Sequence, residues 1–222
     1  MEPEYNESDL ATREYWENQF ETEIQNFEGH GDVGEVWFGD DVQEKAIQYI
    51  DKNFPDKNVS ILDMGCGNAS FLCVLFEKKG FTNLTGVDYS ERSITLSKKI
   101  AHKMFGEKNK IVIKEGNAFD FRDKHEYDII HDKGTFDVIY MMKEDNNQDY
   151  VKGVHYRLKP NDNSRLIITS CNCTNEELDN VFLKEGFFEK VEEIGGYKSF
   201  KFGGVQGQVV ASCVYKPLVK EE

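Results

Sequence analysis

The sequence predicts an α/β fold built on a mostly parallel β-sheet, and three observations support this fold class. An apolar strand at 59–63 runs through a glycine turn and a helix into a second apolar strand at 84–88. The alternation of strand and helix continues for most of the chain, which is typical of a parallel sheet covered on both faces. Near the C-terminus the period changes to two, so 187–194 and 208–215 predict two strands joined by a loop at 195–207.

The N-terminal residues predict two helices separated by a glycine-rich loop. Ser8 or Thr12 can cap the first helix, in which apolar residues recur at helical spacing: Trp16, Phe20, Ile24 and Phe27. The segment 29–39 contains too many glycines for the interior of a helix or a strand. A second helix is predicted at about 41–53, and it ends before Pro55.

Capping residues set the boundaries of the later elements. Ser90 is a candidate N-cap, and Gly80 and Gly106 are candidate C-caps of two helices. Thr174 and Glu177 have the spacing of a capping box. The predicted strands are 59–63, 84–88, 111–113, 127–131 and 165–169, the predicted helices are 70–79, 91–105, 151–158 and 175–185, and a polar connection covers 142–149.

Composition and charge exclude several classes of function. The 222 residues carry a net charge of −14, which is a poor match for nucleic acid because a phosphate backbone requires clustered Lys and Arg. The acidity suits a basic protein partner, or it only keeps the chain in solution. No apolar run reaches the ~18 residues of a membrane span, and the acidic N-terminus resembles neither a secretory nor a transit peptide. Five cysteines without framework spacing indicate reduced thiols, so we expect a cytoplasmic protein, with nuclear presence left open.

The turn after the first strand predicts a nucleoside site. Asp63 precedes a turn that contains Gly65 and Gly67, and glycine allows the backbone to approach a ligand closely. Asp88 ends the next strand 21 positions after Gly67 (88 − 67), close to the spacing of an acid that binds both ribose hydroxyls. An ordinary tight turn is the alternative for the glycines, and a helix cap is the alternative for Asp88, although Ser90 is available for that role.

The carboxylate of Asp63 indicates which nucleoside the turn holds. A dinucleotide site places its pyrophosphate at the helix N-terminus, where a carboxylate would repel it. Ser70 also stands where the dinucleotide pattern has its third glycine. A cationic ligand without phosphate fits better, and S-adenosylmethionine carries both an ammonium and a sulfonium.

Three further positions are weaker candidates for the same ligand. Tyr89 can lie against an adenine ring or simply pack. Asn117 can reach the adenine amino group while Ala118 leaves room for the ring, although a turn explains Asn117 equally well. Trp37, with Phe38, can form a lid or a cation–π wall, or it can pack the N-terminal helix onto the sheet.

Asp132 is the candidate catalytic residue. It ends the fourth predicted strand, and ligands of open α/β sheets bind beyond the carboxyl ends of the strands. We therefore expect its carboxylate to point at the pocket, where it can orient a substrate ammonium and help its proton leave. We expect no metal, because Cys171 and Cys173 form half a site that no second cluster completes.

Two segments resemble the first two motifs of the class I S-adenosylmethionine-dependent methyltransferases: 61–67 (Ile-Leu-Asp-Met-Gly-Cys-Gly) and 86–90 (Gly-Val-Asp-Tyr-Ser). Four further segments are similar to the eukaryotic elongation factor 1-alpha lysine methyltransferases of the methyltransferase-like 10 group: 13–16, 31–39, 132–137 and 168–172. The resemblance extends from about residue 8 to residue 215, and the Asp-Lys-Gly-Thr run at 132–135 is its most specific part.

The resemblance implies a Rossmann-like fold with a seven-stranded sheet whose last strand is antiparallel. We expect a single domain over 1–222, in which 1–55 form a helical extension with a lid loop and 56–216 form the core. The family transfers methyl groups to a lysine of elongation factor 1-alpha, and we expect a monomer that contacts neither nucleic acid nor membrane.

By the same resemblance, Asp63, Gly65 and Gly67 line the methionine end of the cofactor, Asp88 the ribose and Asn117 the adenine edge. Ala69 departs from the pattern, because many relatives have glycine there. A methyltransferase of another protein, a nucleic acid or a small molecule is an alternative function, as is a catalytically silent partner that binds S-adenosylmethionine.

Overall fold

A seven-stranded sheet forms the centre of the protein in a computed structural model. The structure describes residues 9–119, 127–142, 144–197, 199–202 and 205–218. The helices are α1 (Arg13–His30), α2 (Asp40–Asn53), α3 (Ser70–Lys79), α4 (Glu91–Phe105), α5 (Thr135–Tyr140), α6 (Glu144–Arg157) and α7 (Asn175–Phe182). The strands are β1 (Ile61–Met64), β2 (Leu84–Asp88), β3 (Val112–Glu115), β4 (Ile129–Lys133), β5 (Arg165–Ser170), β6 (Phe188–Glu193), β7 (Ser199–Phe202), β8 (Val205–Gln208) and β9 (Ala211–Pro217).

The order of strands across the sheet is β3-β2-β1-β4-β5-β9-β6. The first five strands of the chain pair in parallel, and β9 pairs antiparallel with β5 and β6. This confirms the predicted mostly parallel sheet with an antiparallel last strand. In the sheet, β2 and β3 lie on one side of β1, and β4 pairs with the other side of β1. The strand order therefore reverses between β1 and β4, which is where open α/β sheets bind ligands.

Helices cover both faces of the sheet, and each face has its own apolar core. The helices α2, α3 and α4 pack on one face, with buried side chains that include Ile50, Leu72 and Ile100. The helices α5, α6 and α7 cover the other face with Phe136, Val154 and Phe182, among others. Because side chains alternate along a strand, successive residues of β4 enter opposite cores. Among the helices that the structure describes, none is long and apolar enough to span a membrane.

Several elements differ from the sequence prediction. The segment 142–149 was predicted as a polar connection, but the helix α6 begins at Glu144. The prediction missed this start because the first half of the helix is polar, although Tyr150 within it is fully buried. The short helix α5 was not predicted. The helix α1 continues past Gly29 and ends at His30, and Gly31 caps it in the left-handed conformation. The strands β7 and β8 pair antiparallel over 199–202 and 205–208, where the sequence predicted a loop as far as residue 207.

The helix α1 is joined to α4 by polar contacts. The Glu17 carboxylate accepts hydrogen bonds from the Ser90 hydroxyl (3.0 Å) and from the main-chain N–H of Glu91 (3.2 Å). The first N–H groups of a helix have no partner within the helix, so Glu17 satisfies donors of α4 from outside it. Glu21 forms a further ion pair with Arg92 at 2.6 Å. These contacts hold the N-terminal extension over the carboxyl ends of β1 and β2.

Candidate active site

One cavity of about 260 Å³ opens at the carboxyl edge of the sheet. Its walls come from the segments that follow β1 to β5, and the N-terminal extension covers it with Trp16, Phe20 and 35–38. The lining is mainly apolar and aromatic, with a few polar groups that converge on the space. This is the usual composition of a small-molecule site.

The glycine turn after β1 forms the floor of the cavity. Gly65 and Gly67 both have left-handed backbones, with φ values of 67° and 53°. A Cβ atom at Gly65 would lie 1.8 Å from the Thr135 hydroxyl oxygen, which donates to the Met64 carbonyl at 2.9 Å. The close approach at Gly65 is therefore to another part of the protein. Ala69 is also left-handed, with a φ of 58°, a conformation that glycine adopts more readily than alanine.

The Asp88 carboxylate joins the turns that follow β1 and β2. It accepts hydrogen bonds from the N–H groups of Gly67 and Ser90, both at 3.0 Å. Burial raises the pKa of Asp88, and the two N–H donors act in the opposite direction. The Ser90 hydroxyl caps α4 by accepting from the Ser93 N–H. Asp88 is therefore not needed as the side-chain cap, and its carboxylate lines the cavity.

The Asp63 carboxylate pairs with a histidine on the neighbouring strand. Asp63 and His131 face each other across β1 and β4, and Asp63 Oδ1 lies 2.7 Å from His131 Nδ1. The imidazole also stacks on Phe71 at 3.7 Å between ring centroids. Asp63 lines the cavity. His131 is fully buried behind it.

The segments after β2 and β3 form the far end of the cavity. Tyr89, Asn117 and Ala118 all line it. The Asn117 side chain accepts from the Phe119 N–H at 2.9 Å, so the alternative of a side-chain-stabilised turn is realised here. The Tyr89 hydroxyl is buried without a hydrogen-bond partner within the described part of the chain. A buried polar atom of this kind is available to a ligand or a water molecule.

The loop before α2 contributes Trp37 and Phe38 to the lining of the cavity. Trp37 packs against Trp16 of α1 at 4.9 Å between ring centroids, as the packing alternative predicts, and it also lines the cavity. The Lys133 ammonium donates to the Trp37 carbonyl at 2.8 Å and lies 5.6 Å from the Phe38 ring centroid. Burial lowers the pKa of Lys133. Lys133 thus connects the end of β4 to the lid.

Comparison with known proteins gives a consistent family. A family model described as a methyltransferase domain matches residues 55–211. The chain is 38% identical to EEF1A lysine methyltransferase 2 of Danio rerio, over 94% of this chain and 88% of the relative. It is 38% identical to protein-lysine N-methyltransferase efm4 of Schizosaccharomyces pombe, over 95% of this chain and 94% of the relative. The chain belongs to this methyltransferase family.

Solved structures agree with the fold of the family. Magnesium protoporphyrin IX methyltransferase from Synechocystis, determined with bound SAH, superimposes with a TM-score of 0.66 at 12% identity. That match covers 93% of this chain and 97% of the other. A TehB-like SAM-dependent methyltransferase from Corynebacterium glutamicum gives a TM-score of 0.62 at 16% identity, over 90% and 97% of the two chains. At such identities the likeness concerns the fold alone.

Asp132 is the one predicted site residue that this methyltransferase fold places outside the cavity. The other eight line it: Trp37, Asp63, Gly65, Gly67, Asp88, Tyr89, Asn117 and Ala118. Asp132 is fully buried, and its carboxylate accepts from the N–H groups of Thr135 (3.0 Å) and Phe136 (3.1 Å) and from the Tyr150 hydroxyl (2.5 Å). Burial raises its pKa to about 7. The prediction that this carboxylate points at the pocket is wrong.

Strand alternation explains the orientation of Asp132. The sequence placed Asp132 at the end of the fourth strand, from where its side chain was expected to point beyond the sheet. The strand β4 instead extends to Lys133. His131 therefore faces α3, while Asp132 faces the opposite core between α5 and α6.

The segments after β4 and β5 complete the wall of the cavity with residues that were not predicted to belong to the site. Thr135, Asp137 and Asn172 line the cavity. Asp137 accepts from the N–H groups of Cys171 (3.1 Å) and Asn172 (3.2 Å) and so fixes the loop after β5. The family resemblance could have indicated these three residues, because all of them lie in the segments that resemble the lysine methyltransferases. Within the described ranges no group of side chains has the composition of a metal site.

Proposed function

We propose that this protein is an S-adenosylmethionine-dependent protein-lysine N-methyltransferase that modifies elongation factor 1-alpha. One observation carries the proposal. The chain matches relatives named as EEF1A lysine methyltransferases over about 95% of its length. The convergence of its predicted nucleoside-binding residues on one cavity supports the same proposal. The five unpaired cysteines fit a reducing compartment, and we infer that the protein acts in the cytoplasm as a monomer.

The charge of the cavity fits the proposed cofactor. Four carboxylates line it, from Glu35, Asp63, Asp88 and Asp137, against the single ammonium of Lys133 in the described lining. A net negative site attracts the sulfonium and ammonium of S-adenosylmethionine and repels a pyrophosphate. In this proposal Asp88 binds the ribose hydroxyls, and Asn117 and Ala118 contact the adenine. Asp63 binds the methionine ammonium, and the backbone at Gly65 and Gly67 lies beside the same end of the cofactor.

The reaction requires a neutral lysine amine beside an electrophilic methyl group, which the bound cofactor supplies. A free lysine titrates near 10.4, so the ammonium must give a proton to water before the amine enters the closed site and attacks. The apolar lid formed by Trp37 and Phe38 disfavours a charged amine and excludes water. The Asp137 carboxylate attracts the substrate ammonium as it approaches the cavity. We assign Asp132 a positioning role, because it holds the turn that carries Lys133 and Thr135.

A methyl-transfer assay with purified components tests the proposal. The protein is incubated with methyl-labelled S-adenosylmethionine and with elongation factor 1-alpha, total RNA, or free lysine. We expect label on a lysine of elongation factor 1-alpha, and little label on the other acceptors. An Asp88→Ala variant is the matched control and should transfer less label at limiting cofactor. Label on RNA alone, or cofactor binding without transfer to any acceptor, would contradict the proposed substrate.

A further inference from the structure

Asp63 and His131 form a buried pair at the wall of the cavity. We propose that His131 is a positioning residue that orients the Asp63 carboxylate toward the α-ammonium of the cofactor's amino-acid end. The inference rests on the proposed placement of the cofactor. It makes His131 part of the machinery that distinguishes a nucleoside with an amino-acid tail from one without it.

The register of the sheet creates the pair. Asp63 and His131 are neighbours on the parallel strands β1 and β4, so their side chains leave the sheet on the same face. Their Oδ1 and Nδ1 atoms are 2.7 Å apart, and both residues are more than nine-tenths buried. An ionised carboxylate can only accept, so Nδ1 carries the hydrogen and donates it to Oδ1. This contact leaves Oδ2 of Asp63 for a donor in the cavity, which Asp63 lines.

The surroundings of His131 hold the imidazole in one orientation. Its ring is stacked on Phe71 with 10° between the ring planes and 3.7 Å between the centroids. Phe71 lies in the first turn of α3, directly after the glycine turn of the cofactor site. A rigid donor fixes the carboxylate better than a flexible one, because less conformational freedom is lost when the ligand binds.

Packing alone does not account for a histidine at this position. His131 Nε2 is buried and has no hydrogen-bond partner among the described residues. An unpaired buried polar atom is unfavourable, and a phenylalanine would fill a similar volume without it. The favourable contribution of the residue therefore comes from Nδ1 and its hydrogen bond to Asp63. The Lys133 ammonium interacts with this carboxylate electrostatically, but it donates its hydrogen bond to the Trp37 carbonyl. Among the described residues, the imidazole is therefore the hydrogen-bond partner of Asp63.

Two ligands that differ only in the amino-acid end provide the test. S-adenosylhomocysteine carries the ammonium and carboxylate, while 5′-methylthioadenosine has the same nucleoside and thioether without them. His131→Phe retains the ring stack and the volume but removes the donor. His131→Asn removes the ring but retains an N–H in the place of Nδ1. Calorimetry of both ligands with the full-length protein and these two variants separates orientation of Asp63 from packing.

We expect His131→Phe to weaken S-adenosylhomocysteine binding on the order of tenfold and to leave 5′-methylthioadenosine binding within about twofold. His131→Asn should bind S-adenosylhomocysteine within about threefold of the wild-type protein, because its N–H replaces the donor. The unchanged affinity for 5′-methylthioadenosine also shows that the adenosine part of the site is folded in each variant.

Two results overturn the inference, and a third variant separates it from the proposed function. Equal loss of both ligands in His131→Phe would mean that the residue only packs the site. An unchanged affinity for S-adenosylhomocysteine in His131→Phe would mean that Asp63 needs no orienting partner. Asp63→Asn should lose the preference for S-adenosylhomocysteine. If Asp63→Asn keeps that preference, the placement of the ammonium in the proposed function is wrong as well.

Discussion

Replacing Asp132 distinguishes a positioning residue from an acid–base catalyst. Its carboxylate is the acceptor for three donors in a fully buried site: the N–H groups of Thr135 and Phe136 and the Tyr150 hydroxyl. Asp132→Ala leaves all three without that acceptor. An unpaired buried donor costs about 1–3 kcal/mol, so we expect a loss of roughly 3–5 kcal/mol in the free energy of unfolding. That is a large part of the ~5–15 kcal/mol that stabilises a typical domain.

Asp132→Asn is the informative substitution. The amide oxygen can accept from the N–H groups of Thr135 and Phe136, and the amide nitrogen can donate to the Tyr150 oxygen. We therefore expect a loss of only about 1 kcal/mol in urea unfolding. Turnover on elongation factor 1-alpha at saturating cofactor should stay within about threefold of wild type, because the asparagine holds the same turn.

The pH dependence of stability gives a second measurement on the same pair of proteins. Burial raises the pKa of Asp132 from 3.8 to about 7, so the folded state holds this proton more tightly than the unfolded state. This contribution to stability is complete below the unfolded pKa and is lost as the pH rises through the folded value. The stability of the wild-type protein relative to Asp132→Asn should therefore fall between about pH 4 and about pH 7.

One result would refute this reasoning about Asp132. A folded Asp132→Asn variant with normal cofactor affinity and turnover reduced on the order of 100-fold would show that the carboxylate acts on the substrate. The orientation of Asp132 in the fold would then have to change during the reaction.

Three further predictions concern the turn, the ribose site and the substrate amine. Gly65→Ala should lower the free energy of urea unfolding by more than about 2 kcal/mol, since its Cβ meets Thr135 at 1.8 Å and φ is 67°. Gly80→Ala is the matched control with a φ of 75° and open space, and should cost about 1 kcal/mol. Asp88→Ala should weaken S-adenosylhomocysteine binding by roughly 2–3 kcal/mol in calorimetry, and an unchanged affinity would assign Asp88 to the turns alone. Turnover should rise between about pH 7 and pH 9, because the lysine amine titrates near 10.4, and a flat profile would indicate that deprotonation is not limiting.

The strands and the glycine turn could be predicted because their signals are local. Apolar runs of four or five residues gave β1 and β2, and the glycines with Asp88 located the cavity. The start of α6 was missed because its first turns are polar and its buried side becomes evident only against Asp132 and Phe136.

Contacts between neighbouring strands could not be predicted in the same way. Because β4 continues past Asp132 to Lys133, Asp132 follows the alternation of the strand and faces the opposite core, and the ends of elements are the least certain part of a sequence prediction. The pairing of Asp63 with His131 depends on the register of β1 against β4, which lies 68 positions further along the chain. A pattern within a short stretch of sequence therefore does not show that these two residues become neighbours.

The proposed activity is tested most directly on elongation factor 1-alpha itself. Mass spectrometry would compare this factor from cells that lack the protein, from cells restored with the wild type, and from cells restored with Asp88→Ala. We expect a methylated lysine that loses its methyl groups in the first case, regains them in the second and regains few in the third. Identical methylation in all three would contradict elongation factor 1-alpha as the substrate.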